Sequence, residues 1–233
     1  MDREQRAVVL VSGGVNSCVA ASLKEPYEPA LLHVRYPHRA AEREAECFDR
    51  IAEHLHVEHK LMADLDHLAH VGGNARVDRK LPIEDAATLT DHSANTYVPG
   101  LMPAMLSLAF QWAHVIKATK IVVGASENLG PPGPPTANLY PDCRREVFQV
   151  FDELMRLARP GLEPIALSLP LIQLTRPDVV RLGQRLEAPL ESTWSCYASN
   201  ETPCDQCYGC VTRTRGFIEA GQPDPALAGA KKR

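Results

Sequence analysis

The sequence has no apolar run of about 18 residues free of charge, so no segment of it reads as a membrane-spanning helix. Its start, Met1-Asp2-Arg3-Glu4-Gln5-Arg6, leads straight into a strand-like segment, with no signal-peptide pattern before it. Excess positive charge is missing too. The 25 Lys and Arg against 29 Asp and Glu give a net charge of -4 and a pI near 6.1, which disfavours holding a nucleic-acid backbone by bulk electrostatics. Internal repeats are absent, so solenoids and propellers are set aside. What remains is a 233-residue chain, 45% hydrophobic, enough for one α/β domain with at most a small appendage. Seven cysteines without an export signal point to thiols or metal ligands, not disulfides. The expectation is a cytoplasmic protein with neither a membrane nor a direct nucleic-acid partner.

Strand and helix signals alternate along the chain. Ala7-Val8-Val9-Leu10-Val11 is a short apolar run ending at Gly13-Gly14, as expected of a parallel strand buried on both faces. A small-residue helix follows over residues 17–24, then a strand at 30–34 and an amphipathic helix over 40–55, where Phe48, Ile51, Ala52 and Leu55 recur at helical spacing. A third strand is expected over 57–62, an extended loop over 71–97, and a helix apolar almost all round over 102–118. A strand at 121–124, a helix over 144–159 and a strand over 164–169 come next. Thr175-Arg176-Pro177-Asp178 is a capping-box start, with proline in the first turn, for a helix running to about residue 186. The Pro- and Gly-rich stretch 130–135 reads as a local loop insertion. The fold class expected is α/β, a doubly wound parallel sheet.

Ser12-Gly13-Gly14-Val15-Asn16-Ser17 lies between the first strand and the first helix, at the carboxyl edge of the sheet where such folds bind ligands. Paired glycines let the backbone approach an anion closely, and the two serines add donors. A simple tight turn is the competing reading. No Walker lysine and no Gly-x-Gly-x-x-Gly spacing is present, which weakens P-loop and dinucleotide readings.

Cys196, Cys204, Cys207 and Cys210 are separated by seven, two and two residues. Two-residue gaps direct successive thiolates at one centre, and four thiolates close a tetrahedral zinc site. An iron–sulfur cluster is the rival, but the fourth cysteine lies upstream and no proline follows Cys210. A closed zinc site would pin the chain's end and leave no position for water. Residues 1–190 are therefore expected to form the α/β domain, and 191–233 a zinc-binding segment packed on it. Cys18 and Cys47 read as small core residues, and His54, His56 and His59 as surface residues.

These features together resemble QueC, the 7-cyano-7-deazaguanine synthase family of the PP-loop ATP pyrophosphatase superfamily, with its adenine nucleotide α-hydrolase-like fold. The resemblance rests on the glycine turn, Thr88-Leu89-Thr90-Asp91, Tyr97-Val98-Pro99-Gly100, Tyr140-Pro141-Asp142-Cys143-Arg144, Thr193-Trp194-Ser195-Cys196-Tyr197 and the cysteines leading into Gly216-Phe217-Ile218-Glu219-Ala220-Gly221. It implies an ATP-dependent C–N ligase of queuosine biosynthesis. Such an enzyme activates the carboxylate of 7-carboxy-7-deazaguanine by adenylylation and passes it to ammonia.

The resemblance implies ATP binding by Val11, Ser12, Gly13, Gly14, Val15, Asn16, Ser17 and His33, with Asn16 and Ser17 catalytic and Mg²⁺ as cofactor. It implies substrate binding by Tyr140, Asp142, Arg144 and Trp194. Asp142 and Arg144 suit a deazaguanine's donor edge and its carboxylate, and Trp194 suits stacking on the base. Taken alone, the first two read as a helix-start acid and a surface arginine, and Trp194 as a core aromatic. A homodimer through the 102–118 helix is also implied.

The family's turn carries Asp where this chain has Asn16, and its Arg-Asn after Val-Pro-Gly is Leu101-Met102 here. Both changes remove charge from the ATP half and predict slow ATP turnover. Two alternatives stay open. One is a paralogue joining deazaguanine to another amine, such as a protein partner's; the other is a non-catalytic module binding deazaguanine or nucleotide.

Overall fold

The structure is a computed structural model that describes residues 5–89, 93–127, 139–159 and 161–228. Its sheet has five strands: β1 (Arg6–Leu10), β2 (Glu28–Arg35), β3 (Lys60–Asp64), β4 (Lys120–Val123) and β5 (Ala166–Ser168). All pairings are parallel and the order is β3-β2-β1-β4-β5, so the winding reverses between β1 and β4. Val8 stands opposite both Ala30 and Ile121 in the central register.

Successive β1 side chains serve two separate cores, which is why the strand is apolar at every position. Ala7 and Val9 face α1 (Val15–Ala21), α2 (Ala41–His54), α6 (Arg176–Arg185) and α7 (Tyr208–Glu219) through Cys18, Phe48, Ile51, Val180 and Phe217. Val8 and Leu10 face α4 (Leu101–Val115) and α5 (Arg145–Leu157) through Leu106, Ala109, Phe148 and Phe151. Two further short helices are α3 (Leu68–Val71) and α8 (Pro225–Ala228). Among the described residues, no helix is long and apolar enough to cross a membrane.

The α/β doubly wound expectation matches this architecture. Local details differ for physical reasons. The first helix ends at Ala21, short of residue 24, where Ser22 turns its hydroxyl back onto the Cys18 carbonyl at 2.9 Å. The third strand begins at Lys60, three residues later than expected. His56 adopts φ 53° after α2, and Val57 packs on the first core instead of pairing. The all-round apolar helix is α4, a residue earlier at its start and shorter at its end, with Gly100 at φ 78° before it. The Thr175–Asp178 capping box is present, with reciprocal side-chain and backbone hydrogen bonds. The 71–97 stretch holds the end of α3 and one 3₁₀ turn at Ala86–Thr88. The 130–135 insertion, and Thr90 and Asp91 of the motif around them, lie outside the described residues.

The reversal point leaves no room for a side chain. At Gly124, just past β4, a Cβ would lie 2.7 Å from the Asn16 carbonyl oxygen and 2.9 Å from its carbon. Both are backbone atoms at the start of α1, so neither can swing away. Gly124→Ala should therefore lower stability by about 1–3 kcal/mol, the usual cost of overpacking. Thermal unfolding followed by circular dichroism measures it, and an unchanged midpoint would show that the two segments are not held this closely.

Candidate functional site

The turn after β1 is shaped by contacts that only glycine and serine allow. Gly13 has φ 81°, and a Cβ on it would meet the Glu44 carbonyl at 2.6 Å. Its own carbonyl accepts the Trp194 N–H at 2.9 Å, tying the turn to the C-terminal segment. Ser17 donates its hydroxyl to the Gly14 carbonyl at 3.0 Å and accepts the Ser12 N–H at 3.1 Å. The serine hydroxyls thus hold the turn in shape. Behind it, the buried His33 ring contacts the Val11 carbonyl through Nδ1 at 2.8 Å and stacks on Phe48. Burial lowers the His33 pKa and favours the neutral ring.

The turn opens onto a cavity of about 320 Å³ at the carboxyl edge of the sheet. Val11, Ser12, Gly14, Val15, Asn16 and Ser17 line it, whereas Gly13 and His33 are not among its walls. Tyr140, Asp142 and Trp194 line it as well. Arg144 does not: it is exposed, at the N-cap of α5, outside the lining. Tyr140 shares a 2.9 Å hydrogen bond with the Thr96 hydroxyl, and burial pushes its phenol up to about 12. Asp142 accepts the Met102 N–H at 3.2 Å, and partial burial raises its carboxyl above the ordinary range.

Trp194 has two sides to its surroundings. Its indole N–H donates to the Cys196 and Ser199 carbonyls, both at 3.0 Å, and Arg43 stacks over the ring at 5.2 Å. The indole therefore joins the cavity wall to the cysteine segment.

Several cavity residues escaped the sequence reading. Arg76 pairs with Glu44 at 3.1 Å and lies over the Tyr36 and Tyr197 rings. Burial raises the Glu44 pKa against the pull of Arg76. Arg176, in the first turn of α6, donates to the Asn16 side-chain oxygen. Its position just after the capping threonine was the one available signal, because that helix starts at the ligand side of the sheet. Arg76 and Glu44 gave none, since a charged residue in an aperiodic or amphipathic stretch reads as solvated.

The four C-terminal cysteines converge. Their sulfurs all lie within 4.8 Å of one another. A tetrahedral zinc with bonds of about 2.3 Å would set its sulfurs roughly 3.8 Å apart, so the donor set fits a metal such as zinc. Backbone N–H groups of Ala198 and Cys204 point at the Cys196 sulfur, both at 3.4 Å, and the Cys207 N–H at the Cys204 sulfur at 3.3 Å. Hydrogen bonds from Cys207 and Cys210, then those amides, hold the Cys196 thiol far below its usual range, while the same contacts push Cys207 and Cys210 up, as expected of crowded sulfurs that share protons. Gly209 lets α7 start here, since a Cβ on it would lie 2.0 Å from the Ser195 carbonyl oxygen.

A doubly wound parallel sheet whose glycine turn opens on a cavity at the reversal point defines a PP-loop-like α/β protein. The chain matches the family described as "Queuosine biosynthesis protein QueC" over residues 6–221, and it belongs to that family, an enzyme of the ATP-dependent ligase class. It is 36% identical over 222 residues to the 7-cyano-7-deazaguanine synthase of Chlorobium phaeobacteroides (strain BS1), covering 94% of this chain and 95% of that one. It is 38% identical over 230 residues to the protein of the same name from Acidobacterium capsulatum, covering 96% of each. Among solved structures, a 4-thiouridine synthetase–RNA complex with bound ATP superposes with a TM-score of 0.51 at 16% identity, over 97% of this chain and 53% of that one. That likeness is one of fold alone.

The cysteine geometry sets a quantitative expectation of one zinc per chain. Elemental analysis of protein purified without chelator checks it, and finding iron, or no metal, would refute the assignment. Cys207→Ser should lose most of the metal and loosen the C-terminal segment, seen as faster proteolysis after about residue 190.

Proposed function

We propose that this chain is a 7-cyano-7-deazaguanine synthase acting on 7-carboxy-7-deazaguanine, ATP and ammonia. A carboxylate oxygen is a poor leaving group. It attacks the α-phosphorus of ATP, and pyrophosphate departs. Ammonia then adds to the acyl carbon and AMP leaves, giving the amide. A second adenylylation, on the amide oxygen, followed by loss of AMP and a proton pair, gives the nitrile.

The observation that carries this reading is that one cavity joins the glycine turn to Asp142, Tyr140 and Trp194. In the proposal, N–H groups of the turn and Asn16 face the phosphates, and Ser17 keeps the turn in shape. Asp142 accepts from the base's N–H edge, and Trp194 forms a flat wall beside it. Arg76 takes the substrate carboxylate, the role first expected of Arg144, because it lines the cavity and Arg144 does not.

Mg²⁺ fits the turn poorly. Among the described residues, the two carboxylates of the lining are Glu44 and Asp142. Glu44 is paired with Arg76, Asp142 accepts a hydrogen bond from the Met102 N–H, and the turn offers a metal no carboxylate, only the Asn16 amide, already bonded to Arg176, and two serine hydroxyls engaged with each other.

A homodimer belongs to the same proposal. Arg159, beyond α5, lies over Phe110 of α4 at 5.6 Å, so the two helices adjoin. Val115 on α4 is 73% exposed, and Val150 and Leu157 on α5 are 70% and 71% exposed. Such a surface supports association of two copies through this face. Light scattering at micromolar concentration should give twice the chain mass, and a monomer would contradict it.

The activity itself is tested by incubating the protein with 7-carboxy-7-deazaguanine, ATP, Mg²⁺ and ammonia and following AMP and nitrile. Asp142→Asn should lower kcat/KM about ten- to a hundredfold, the loss of one charge-assisted hydrogen bond of about 1.5–3 kcal/mol. No AMP release with any amine would sink the reading. AMP release with a supplied amine but not with ammonia would favour the paralogue that uses another acceptor.

A further inference from the structure

One guanidinium in the cavity has no carboxylate paired with it among the described residues. Two arginines line the cavity, Arg76 and Arg176. Arg76 has the Glu44 carboxylate at 3.1 Å. Arg176 has no carboxylate partner among the described residues; its one side-chain partner is the neutral amide of Asn16, and its Nε is shielded from solvent without any hydrogen bond. Burial, and the charge of Arg213, push the Arg176 pKa down, while Tyr197 and Tyr208 oppose them only partly. Arg213 shows what a compensated guanidinium looks like in this fold, with Asp224 at 2.9 Å and the Thr193 hydroxyl at 2.9 Å.

The placement of Arg176 is built in, not incidental. The capping box and Pro177 fix the start of α6. On the facing helix α7, Gly216 makes room for the arginine stem, since a Cβ there would lie 2.1 Å from the Arg176 Cγ. A guanidinium has donors only, so the Asn16 atom it meets must be the amide oxygen, and the Asn16 NH₂ is left to donate elsewhere. Asn16 also lies within the turn, whose backbone packs against Gly124. The pair therefore offers the cavity a fixed cation and an amide donor. An aspartate at position 16 would turn the same pair into a neutral ion pair.

We infer that Arg176, oriented by Asn16, replaces the divalent cation in this chain's phosphate site, so that the nucleotide's phosphates bind to a guanidinium and need no Mg²⁺ to do so. A planar guanidinium matches two phosphate oxygens at once and stays charged when desolvated, which suits it to the place of a metal counter-charge. The inference rests on the ATP-using reading above but concerns binding, and it is separable from turnover.

The test is titration calorimetry of the full chain with α,β-methylene-ATP, in excess EDTA and in excess Mg²⁺. The unaltered chain should bind with dissociation constants within about threefold of each other in the two conditions, because the counter-charge is resident. Arg176→Gln should weaken metal-free binding roughly ten- to a hundredfold, and Arg176→Lys, which keeps the charge but not the fork, by less. Asn16→Asp should weaken metal-free binding at least about tenfold by neutralising the guanidinium, raising the ratio of the two constants. The Lys and Asp variants decide the matter even if Arg176→Gln folds poorly.

Binding that requires Mg²⁺ in the unaltered chain would overturn the inference and leave the synthase reading standing. Metal-free binding without AMP formation in the synthase assay would uphold the inference and remove that reading. An analogue that binds under neither condition would remove both.

Discussion

Everything at the carboxyl edge of the sheet depends on backbone meeting backbone at the turn after β1. Gly13 lets α2 come within a side chain's width of the turn, and Gly124 does the same for β4 and α1. The Gly13 carbonyl is then the acceptor for Trp194, so the C-terminal segment is fastened to the same few atoms. These contacts use peptide groups, and the Ser12 and Ser17 hydroxyls, 3.1 Å apart, brace the turn from within, which leaves the Asn16 NH₂ facing the cavity. A turn braced this closely presents its remaining donors in a fixed arrangement.

The cysteine cluster acts on the cavity at one remove. Trp194 and Tyr197 flank Cys196 in sequence, and Tyr208 and Gly209 lie beside Cys207 and Cys210; all four line the cavity. The Trp194 indole bonds the Cys196 and Ser199 carbonyls, and the Tyr197 N–H points at the Cys207 sulfur at 3.4 Å. A metal held by four sulfurs would have no open position for chemistry. Its effect would be to fix the loops that carry these aromatic walls, the kind of rigidity that positions a site's contacts.

What the sequence made legible, and what it hid, follows from how local each constraint is. The glycine turn, the Thr175–Asp178 capping box and the cysteine spacing are short-range devices, and their partners lie within a few residues or follow fixed offsets. The buried strands β1, β2 and β4 announced themselves by continuous apolar runs, because both their faces are covered. The edge strand β3 pairs only with β2 among the described residues and is partly exposed, so its sequence does not mark its start, which lies three positions beyond the one its pattern predicts. Arg76, Glu44 and Arg176 were hidden for another reason. Their partners lie 32 and 160 residues away, and nothing in their own segments separates a cavity-facing charge from a solvated one.

The two cavity arginines would suit the anionic ligand proposed for this site. An isolated buried guanidinium is costly, and the fold meets that cost differently at its two positions. At Arg76, Glu44 cancels the charge, and Tyr36 and Tyr197 cover the guanidinium faces, leaving a rigid donor whose remaining capacity is directional more than electrostatic. At Arg176, the partner is an amide, so the charge stays available while its orientation is still fixed. Such a cation lowers stability in the empty protein and is relieved when an anion arrives, so part of what is lost in folding returns as affinity. The substitution of an amide for an acid at position 16 is then a change in the sign of the site. In the proposal above, the amide lets the turn complete an anion site where a carboxylate would pair with the guanidinium instead.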